Sequence, residues 1–451
     1  MLKILKDLRT EMPEDIAKLK YAGMFAEADR LIDIKLEDDR IPEAVRNKLL
    51  TEKEIMKRLE NDYPYTEEEA LALIRKEIPD FTEEELHEWM DRGAADWIFV
   101  SGKKHLQNRF FASLKKVYPE MAQRAQEAAE DRSYLDDNVR YMKQYGKAGW
   151  HFRAKTVLRI KDECFQPGFV RVHLPVPSVC INMRNIRILN TSPGGIIDPE
   201  DSLSRTVCFE KTLETNEEFY VEYEYDSVVR YTAFSDRETW IDPDAETGEQ
   251  EPHIVFTPLI RSLCQHLSGD ETDPLKLARR FYDFVTTKVV YSFMRQYLGI
   301  EQIPDYCISS LKGDCGVQAL TFITLCRCAG IPARWQSGKF TAPGTSGNHD
   351  WAMFRIEPYG WLFADCSFGG SAFRAGCKER HDFYFGNLDP FRMAANQAFQ
   401  QEFTISKKHW RIDPYDNQTG EAEYADRGLL RQELDCSFEI LEMHQLEQEE
   451  L

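Results

Sequence analysis

Gly313-Asp314-Cys315-Gly316-Val317-Gln318-Ala319-Leu320-Thr321-Phe322-Ile323-Thr324-Leu325-Cys326-Arg327-Cys328-Ala329-Gly330-Ile331-Pro332 opens on a thiol and continues as an apolar run. Gln318 and Arg327 are its main interruptions, a pattern that belongs to a helix buried on all sides. Asp314 is placed to cap the N-terminus, which puts Cys315 in the first turn. Gly330 supplies the stop and Pro332 prevents continuation. Free amide N–H groups and the positive end of the helix dipole favour a thiolate there, so the expectation for Cys315 is a lowered pKa. Cys326 and Cys328, further along the same helix, read as small core hydrophobes.

Two strand-like stretches follow, Asn348-His349-Asp350-Trp351 and Gly360-Trp361-Leu362-Phe363-Ala364-Asp365. Alternation puts His349, Trp351 and Met353 on one face of the first, and Trp361, Phe363 and Asp365 on one face of the second. Direct pairing of His349 with Asp365 centres the connection on Glu357, beside Pro358 and close to Gly360. A hairpin with a short odd-numbered loop would then set the imidazole next to the carboxylate. Such an Asp fixes the imidazole tautomer and supports the imidazolium. Thiol, imidazole and carboxylate are the parts needed to make a thiolate, hold a proton and orient the proton carrier. Cys366 directly follows Asp365, is expected on the opposite face of the strand, and reads as core.

Gly313-x-Cys315, Cys328-Ala329-Gly330-Ile331-Pro332-Ala333-Arg334, His349-x-Trp351 and Gly360-Trp361-x-x-x-Asp365 together resemble the transglutaminase-like superfamily of thiol enzymes. The helix opened by Asp273-Pro274 and ending near Val290-Tyr291 is similar to that family's lead-in, so the resemblance spans roughly residues 260–370. It implies a papain-like α+β core with Cys315 as nucleophile, His349 as general base and acid, and Asp365 as orienter. Animal members place a Trp before the nucleophile to help hold the oxyanion, whereas this chain has none between Trp240 and Trp335. The Cys315 backbone N–H plus a second donor could serve instead. Tyr291 is a candidate by position, with a packed aromatic as the alternative. Trp351 and Trp361 are candidates to wall the substrate site, although core packing would also explain them. The calcium-site carboxylates of animal enzymes have no evident match, so neither metal nor other cofactor is expected.

At 451 residues the chain is too long for one core. The fold class expected is multidomain α+β. Residues 1–148 read as a helical N-terminal region suited to scaffolding or partner docking, with capping boxes at Thr66/Glu69 and Thr82/Glu85 and a Phe81/Leu86 staple. Residues 149–255 alternate, as in Val170-x-Val172-x-Leu174-x-Val176 and Phe219-x-Val221-x-Tyr223-x-Tyr225, which suggests an antiparallel β-sandwich. Residues 256–405 hold the papain/transglutaminase-like core. Residues 406–451 form an extension, with Cys436–Leu441 as a final strand.

The balance of 57 basic to 77 acidic residues gives a net charge of −20, which argues against nucleic acid or an anionic membrane as the main partner. Met1-Leu2-Lys3-Ile4-Leu5-Lys6-Asp7 lacks the apolar stretch of a signal peptide, and no uncharged run approaches the roughly 18–20 residues of a membrane span. A cytoplasmic location is the expectation; oligomeric state is not legible. The expected activity is attack on amide bonds of peptides or proteins through an acyl-enzyme. Water as acceptor is favoured over an amine. A catalytically silent binding module on the same fold is the other alternative.

Overall fold

The computed structural model describes residues 2–128 and 131–451; Met1, the first residue of the N-terminal stretch read above, lies outside the described residues. The architecture is mixed α/β with several antiparallel sheets. Helices dominate the N-terminal region, including Glu14–Tyr21, Phe25–Leu36 and the 20-residue Glu43–Asp62. The first two are separated at Gly23, whose φ of +74° suits glycine and where an added Cβ would fall on the Phe99 carbonyl oxygen. Both capping boxes form: Glu69 N–H donates to Thr66 Oγ1 (3.3 Å) and Glu85 N–H to Thr82 Oγ1 (3.2 Å), with each Glu carboxylate returning to the Thr backbone N–H. Phe81 and Leu86 are fully buried in one small core of their own, with Ile74, Trp89 and Leu106.

That small core also rests on a sheet that the sequence pattern does not mark. Strands β1 (Tyr65–Thr66), β2 (Trp97–Val100) and β3 (Lys103–Leu106) pair in the order β1-β3-β2. None exceeds four residues, too short for alternation to stand out against the surrounding helices.

Next come β4 (Lys147–Ile160), β5 (Gly168–Pro175), β6 (Met183–Thr191), β7 (Ile196–Ile197), β8 (Thr206–Leu213) and β9 (Glu218–Arg230). Val170, Val172, Leu174, Val221, Tyr223 and Tyr225 are fully buried, the outcome their alternation predicts. The short parallel pair β10 (Val290–Tyr291) and β11 (Lys312–Gly313) leads into the helix Cys315–Cys328. Strands β12 (Ala333–Ala342), β13 (Thr345–Ile356), β14 (Gly360–Ala364), β15 (Phe385–Gly386) and β16 (Arg392–Asn396) form one antiparallel sheet, ordered β15-β14-β13-β12-β16. Finally β17 (Glu421–Tyr424) and β18 (Leu434–Gln445) turn back. They complete the four-stranded sheets β17-β5-β8-β7 and β18-β4-β9-β6, and β18 contains the expected strand Cys436–Leu441.

The β13–β14 register differs from the expected one. Ile356 pairs with Gly360 and Met353 with Phe363, so the three-residue connection centres on Pro358 rather than Glu357. Asp365 falls just past the end of β14, and His349 reaches it diagonally instead of across a rung. Cys366 does not continue the strand; it is the buried first residue of the helix Cys366–Arg374.

The N-terminal region is tied directly to the core. Arg58 donates to the carbonyls of Ile412 (2.6 Å) and Arg411 (2.7 Å), and the Gln296 N–H donates to Asp62 Oδ2 (2.8 Å). Among the described residues, no helix is long and apolar enough to cross a membrane.

Candidate active site

Asp314 caps the Cys315 helix as its sequence predicts: its Oδ1 accepts from the Val317 N–H (3.1 Å) and from the Tyr297 hydroxyl (2.6 Å). The helix is buried from Gly316 through Cys326 and packs on β13, where its Phe322 meets Phe354 edge-on with ring centroids 5.5 Å apart. Alternation along β13 therefore turns Ala352 and Asp350 towards the helix as well. The Cys315 thiol donates to Asp350 Oδ2 at 3.2 Å. Gln418 donates to the other oxygen of Asp350, and Asp416, beside it, accepts from the Ser337 hydroxyl. Gly316 makes room for this cluster, since an added Cβ would fall on the Tyr297 hydroxyl and against Asp350 Oδ2.

The electrostatics of this cluster reverse the expected lowering at Cys315. Burial, then the charges of Asp350 and Asp314, push the thiol well above its ordinary pKa. Burial also raises the Asp314 carboxyl, to about 6, and together with Asp416 raises Asp350 well above the usual carboxylate range. Helix-end stabilisation of a thiolate is outweighed by desolvation and by carboxylates that form no salt bridge among the described residues.

His349 lies one residue earlier on β13 and faces the other way. Its Nε2 is 2.7 Å from Asp365 Oδ2, which leaves Nδ1 as the ring atom free of that contact. Asp365 Oδ1 caps the next helix through the Phe368 N–H (3.0 Å), while Arg392 Nη2 donates to Oδ2 (2.7 Å). The other arm of Arg392 donates to Asp389 Oδ1 (2.9 Å), and the Tyr384 hydroxyl donates to Asp389 Oδ2 (2.8 Å). Exposure is 4% for His349 and 0% for both Asp365 and Arg392. Burial works to raise the Asp365 carboxyl, but His349 and Arg392 hold it far below the usual range. Burial lowers the His349 pKa against the pull of Asp365, which favours a neutral imidazole.

The structure thus brings His349 to Asp365 and Cys315 to Asp350; no hydrogen bond joins Cys315 to His349 among the described residues. The two pairs open on adjoining clefts. A cleft of about 840 Å³ holds Cys315, and one of about 520 Å³ holds His349. Lys116, Tyr291, Ser346, Gly347 and Asn348 line both. The Cys315 cleft draws further walls from the N-terminal region, through Asp62 and Arg109, and from the 406–451 segment, through Asp413 and Gln418. Nothing in the helical spacing of residues 1–148 marks that contribution, which only the packing reveals.

Tyr291 pairs with Gly313, two residues before Cys315, and the Lys116 ammonium lies 4.6 Å above its ring. Trp351 and Trp361 line neither cleft, so the expected wall role is corrected. Trp351 is 0% exposed, donates from Nε1 to Gln336 Oε1 (2.8 Å) and stacks beside His349 with ring centroids 5.9 Å apart. Trp361 lies under the Arg334 guanidinium, 4.1 Å from its ring centre. Among the described residues, no group of three or more His, Cys, Asp or Glu side chains is arranged to hold a metal ion.

No curated protein sequence matches the chain. Among solved structures, a candidate cysteine protease from Cytophaga hutchinsonii aligns at 14% identity over 66% of this chain and 90% of its own, with a TM-score of 0.38. The periplasmic domain of TgpA from Pseudomonas aeruginosa aligns at 14% identity over 55% of this chain and 96% of its own, with a TM-score of 0.28. The family model of the transglutaminase-like superfamily matches residues 261–366, a stretch that includes Cys315, His349 and Asp365. Over those residues the chain carries a transglutaminase-like core.

Proposed function

We propose that this protein cleaves amide bonds of peptides or proteins, with Cys315 as nucleophile, His349 as general base and acid, and Asp365 as orienter. One observation carries the reading. The buried His349–Asp365–Arg392 row sits one residue along β13 from the carboxyl that holds the Cys315 thiol, and both open on adjoining clefts. Asp365 occupies Nε2 and leaves Nδ1 as the base. In the reaction Sγ leaves Asp350, passes its proton to Nδ1 and bonds to the substrate carbonyl carbon. The tetrahedral intermediate collapses as the imidazolium protonates the leaving amine, giving a thioester. Water, deprotonated by His349, then releases the acid and restores the thiol. The Cys315 N–H and Tyr291 are the proposed oxyanion donors.

The same reading takes the sheets built on β4 and β5 as a β-sandwich framing the core, and divides the chain at about residues 148, 255 and 405. Hydrolysis is the favoured outcome over transfer to an amine. A peptide-library digest comparing wild type with Cys315→Ala tests the reading, with a fluorescent amine as competing acceptor. Cleavage lost in the variant supports it, amine incorporation exceeding cleavage changes the acceptor, and identical digests sink it.

One observation favours a second reading, a silent binding module. The Cys315 thiol is held by a carboxyl and kept protonated rather than poised as a thiolate. Alkylation across a pH series separates the two, because a silent site gives a Cys315 no more reactive near neutral pH than the other cysteines.

A further inference from the structure

A further cavity, of about 440 Å³, lies on the seam between the N-terminal helices and the core and shares with the Cys315 cleft only Arg295. Its body is apolar. Phe25 and Leu59 come from two of the N-terminal helices, Trp97 and Phe99 from β2, and Ile300 from the segment after β10. Tyr21 and Phe99 line it while remaining 65% and 40% exposed, unusual for rings of that size. The charged part of the lining is Lys20, Glu301 and Arg295. Lys20 is committed, with its ammonium 2.7 Å from Glu52 and 3.8 Å from Glu301, and Lys48 also bridges Glu301 at 3.2 Å. Arg295 differs. Its Nε donates to the Gly299 carbonyl (3.0 Å) and its Nη1 to the Tyr63 hydroxyl (3.1 Å), whereas Nη2 makes no hydrogen bond among the described residues. The acid behind it, Asp96, is reached only through that Tyr63 hydroxyl and is already bridged to Lys312 at 2.8 Å. Arg295 is thus a partly buried guanidinium, charged at any ordinary pH, that faces an apolar space without a carboxylate of its own.

An apolar cavity of this size with one planar cation left to satisfy is the complement of a small amphipathic anion. We propose that it binds a small organic acid, whose aromatic or aliphatic body lies among Phe25, Leu59, Trp97 and Phe99 and whose carboxylate meets Arg295 Nη2. Glu301 repels a second carboxylate, so the place beside Nη2, where no acid is bridged, is the one left to it. The segment that grips the acid also serves the thiol. Tyr297 follows Arg295 by two residues, and its hydroxyl donates to Asp314 (2.6 Å), the cap of the Cys315 helix. Binding of the acid does not depend on whether Cys315 cleaves amides.

The test titrates the full-length protein calorimetrically with phenylbutyrate, its neutral amide phenylbutyramide and the cation phenylbutylamine. The acid should bind about tenfold more tightly than the amide, the size of effect expected from one or two charge-assisted hydrogen bonds. The amine should bind most weakly. Phe99→Ala, at an exposed position, should weaken acid and amide alike by several-fold, because it removes contacts to the body. Arg295→Gln should bring the acid down to the level of the amide and leave the amide unchanged. If that variant loses its melting transition, the acid–amide ratio and Phe99→Ala still decide. Equal binding of acid and amide overturns the proposal, and so does a preference for the amine, which would assign the cavity to Glu301. An acid affinity untouched by Phe99→Ala places the acid elsewhere and also overturns it. So does a tetrapeptide ending in Phe that binds where the free acid does not, which would make the cavity a reader of chain ends. Cys315→Ala protein should bind the acid as wild type does; loss of binding there would move the acid to the thiol cleft.

Discussion

The two clefts that meet at the tip of β13 bury the same kind of side chain and treat it in opposite ways. In the Cys315 cleft, Asp314, Asp350 and Asp416 crowd together out of water, and their carboxyls are pushed up towards the neutral form. Behind the His349 cleft, Asp365 is buried as well yet is held far down, because His349 and Arg392 both reach Oδ2 at 2.7 Å. Burial is common to both places, so burial does not set the charge state. Contact with a cation does. A thiol packed against the first kind of carboxyl stays a thiol, and an imidazole packed against the second kind is oriented.

If the two clefts are halves of one reaction, the largest expected effect is on turnover. Cys315→Ala should lower amide cleavage by about ten-thousandfold while leaving the melting temperature nearly unchanged. Residual cleavage within tenfold of wild type would separate the clefts functionally. Next in size is Arg392→Ala, which strands Asp365 and Asp389 without their cation. It should cost roughly 3–5 kcal/mol in denaturant unfolding, the usual penalty for breaking a buried ion pair from one side. A loss below about 1 kcal/mol would show that Asp365 takes up a proton instead, against its contrast with Asp350.

Asp350→Asn acts on the other half. An amide in place of the carboxyl removes the negative charge that Asp350 takes on beside Sγ wherever it ionises, so Cys315 should react several-fold faster with iodoacetamide near neutral pH. A slower reaction would instead make Asp350 the proton acceptor of the thiol.

The smallest effect is on stability against pH, where the clefts should differ in sign. A carboxyl raised by folding, such as Asp350, weakens the fold once the unfolded chain ionises above about pH 4, and the handicap vanishes below it. Asp350→Asn should therefore raise the denaturant midpoint at pH 7, with the gap closing towards pH 4. Asp365 has a lowered pKa, so its contribution is present above about pH 4 and is lost on further acidification. Asp365→Asn should flatten that acid loss. His349, also lowered, contributes fully above about pH 6.5 and less as pH falls.

Much of this arrangement is local enough to read from residues. The Cys315 helix announces itself because it is apolar on every side, with Asp314 before it and Gly330 after it. The period of two along β13 and β14 puts His349 and Asp365 on one face, which is what their hydrogen bond needs. Register was not legible, because a connection centred on Glu357 or on Pro358 preserves that shared face equally well. The partner of the thiol was hidden for a different reason. Asp350 was visible beside His349, but which face of β13 meets the helix depends on Phe322 packing against Phe354. Arg392, Asp389 and Gln418 come from segments with no motif of their own. They reach the site because β16 joins β12 and β17 joins β5.

Strand β4 lies between β9 and β18, with Leu434 of β18 opposite Ile160. During synthesis β9 follows β4 closely, whereas β18 emerges only after more than half the chain has passed between them. Until then one edge of β4 has no partner, and an open edge is a template for pairing with other chains. Closing so long a loop costs entropy that only the finished sheet returns, which makes this pairing a late event in folding. A ribosome-bound chain halted after residue 430 should therefore hold a transglutaminase-like core whose neighbouring sheet still awaits its last strand.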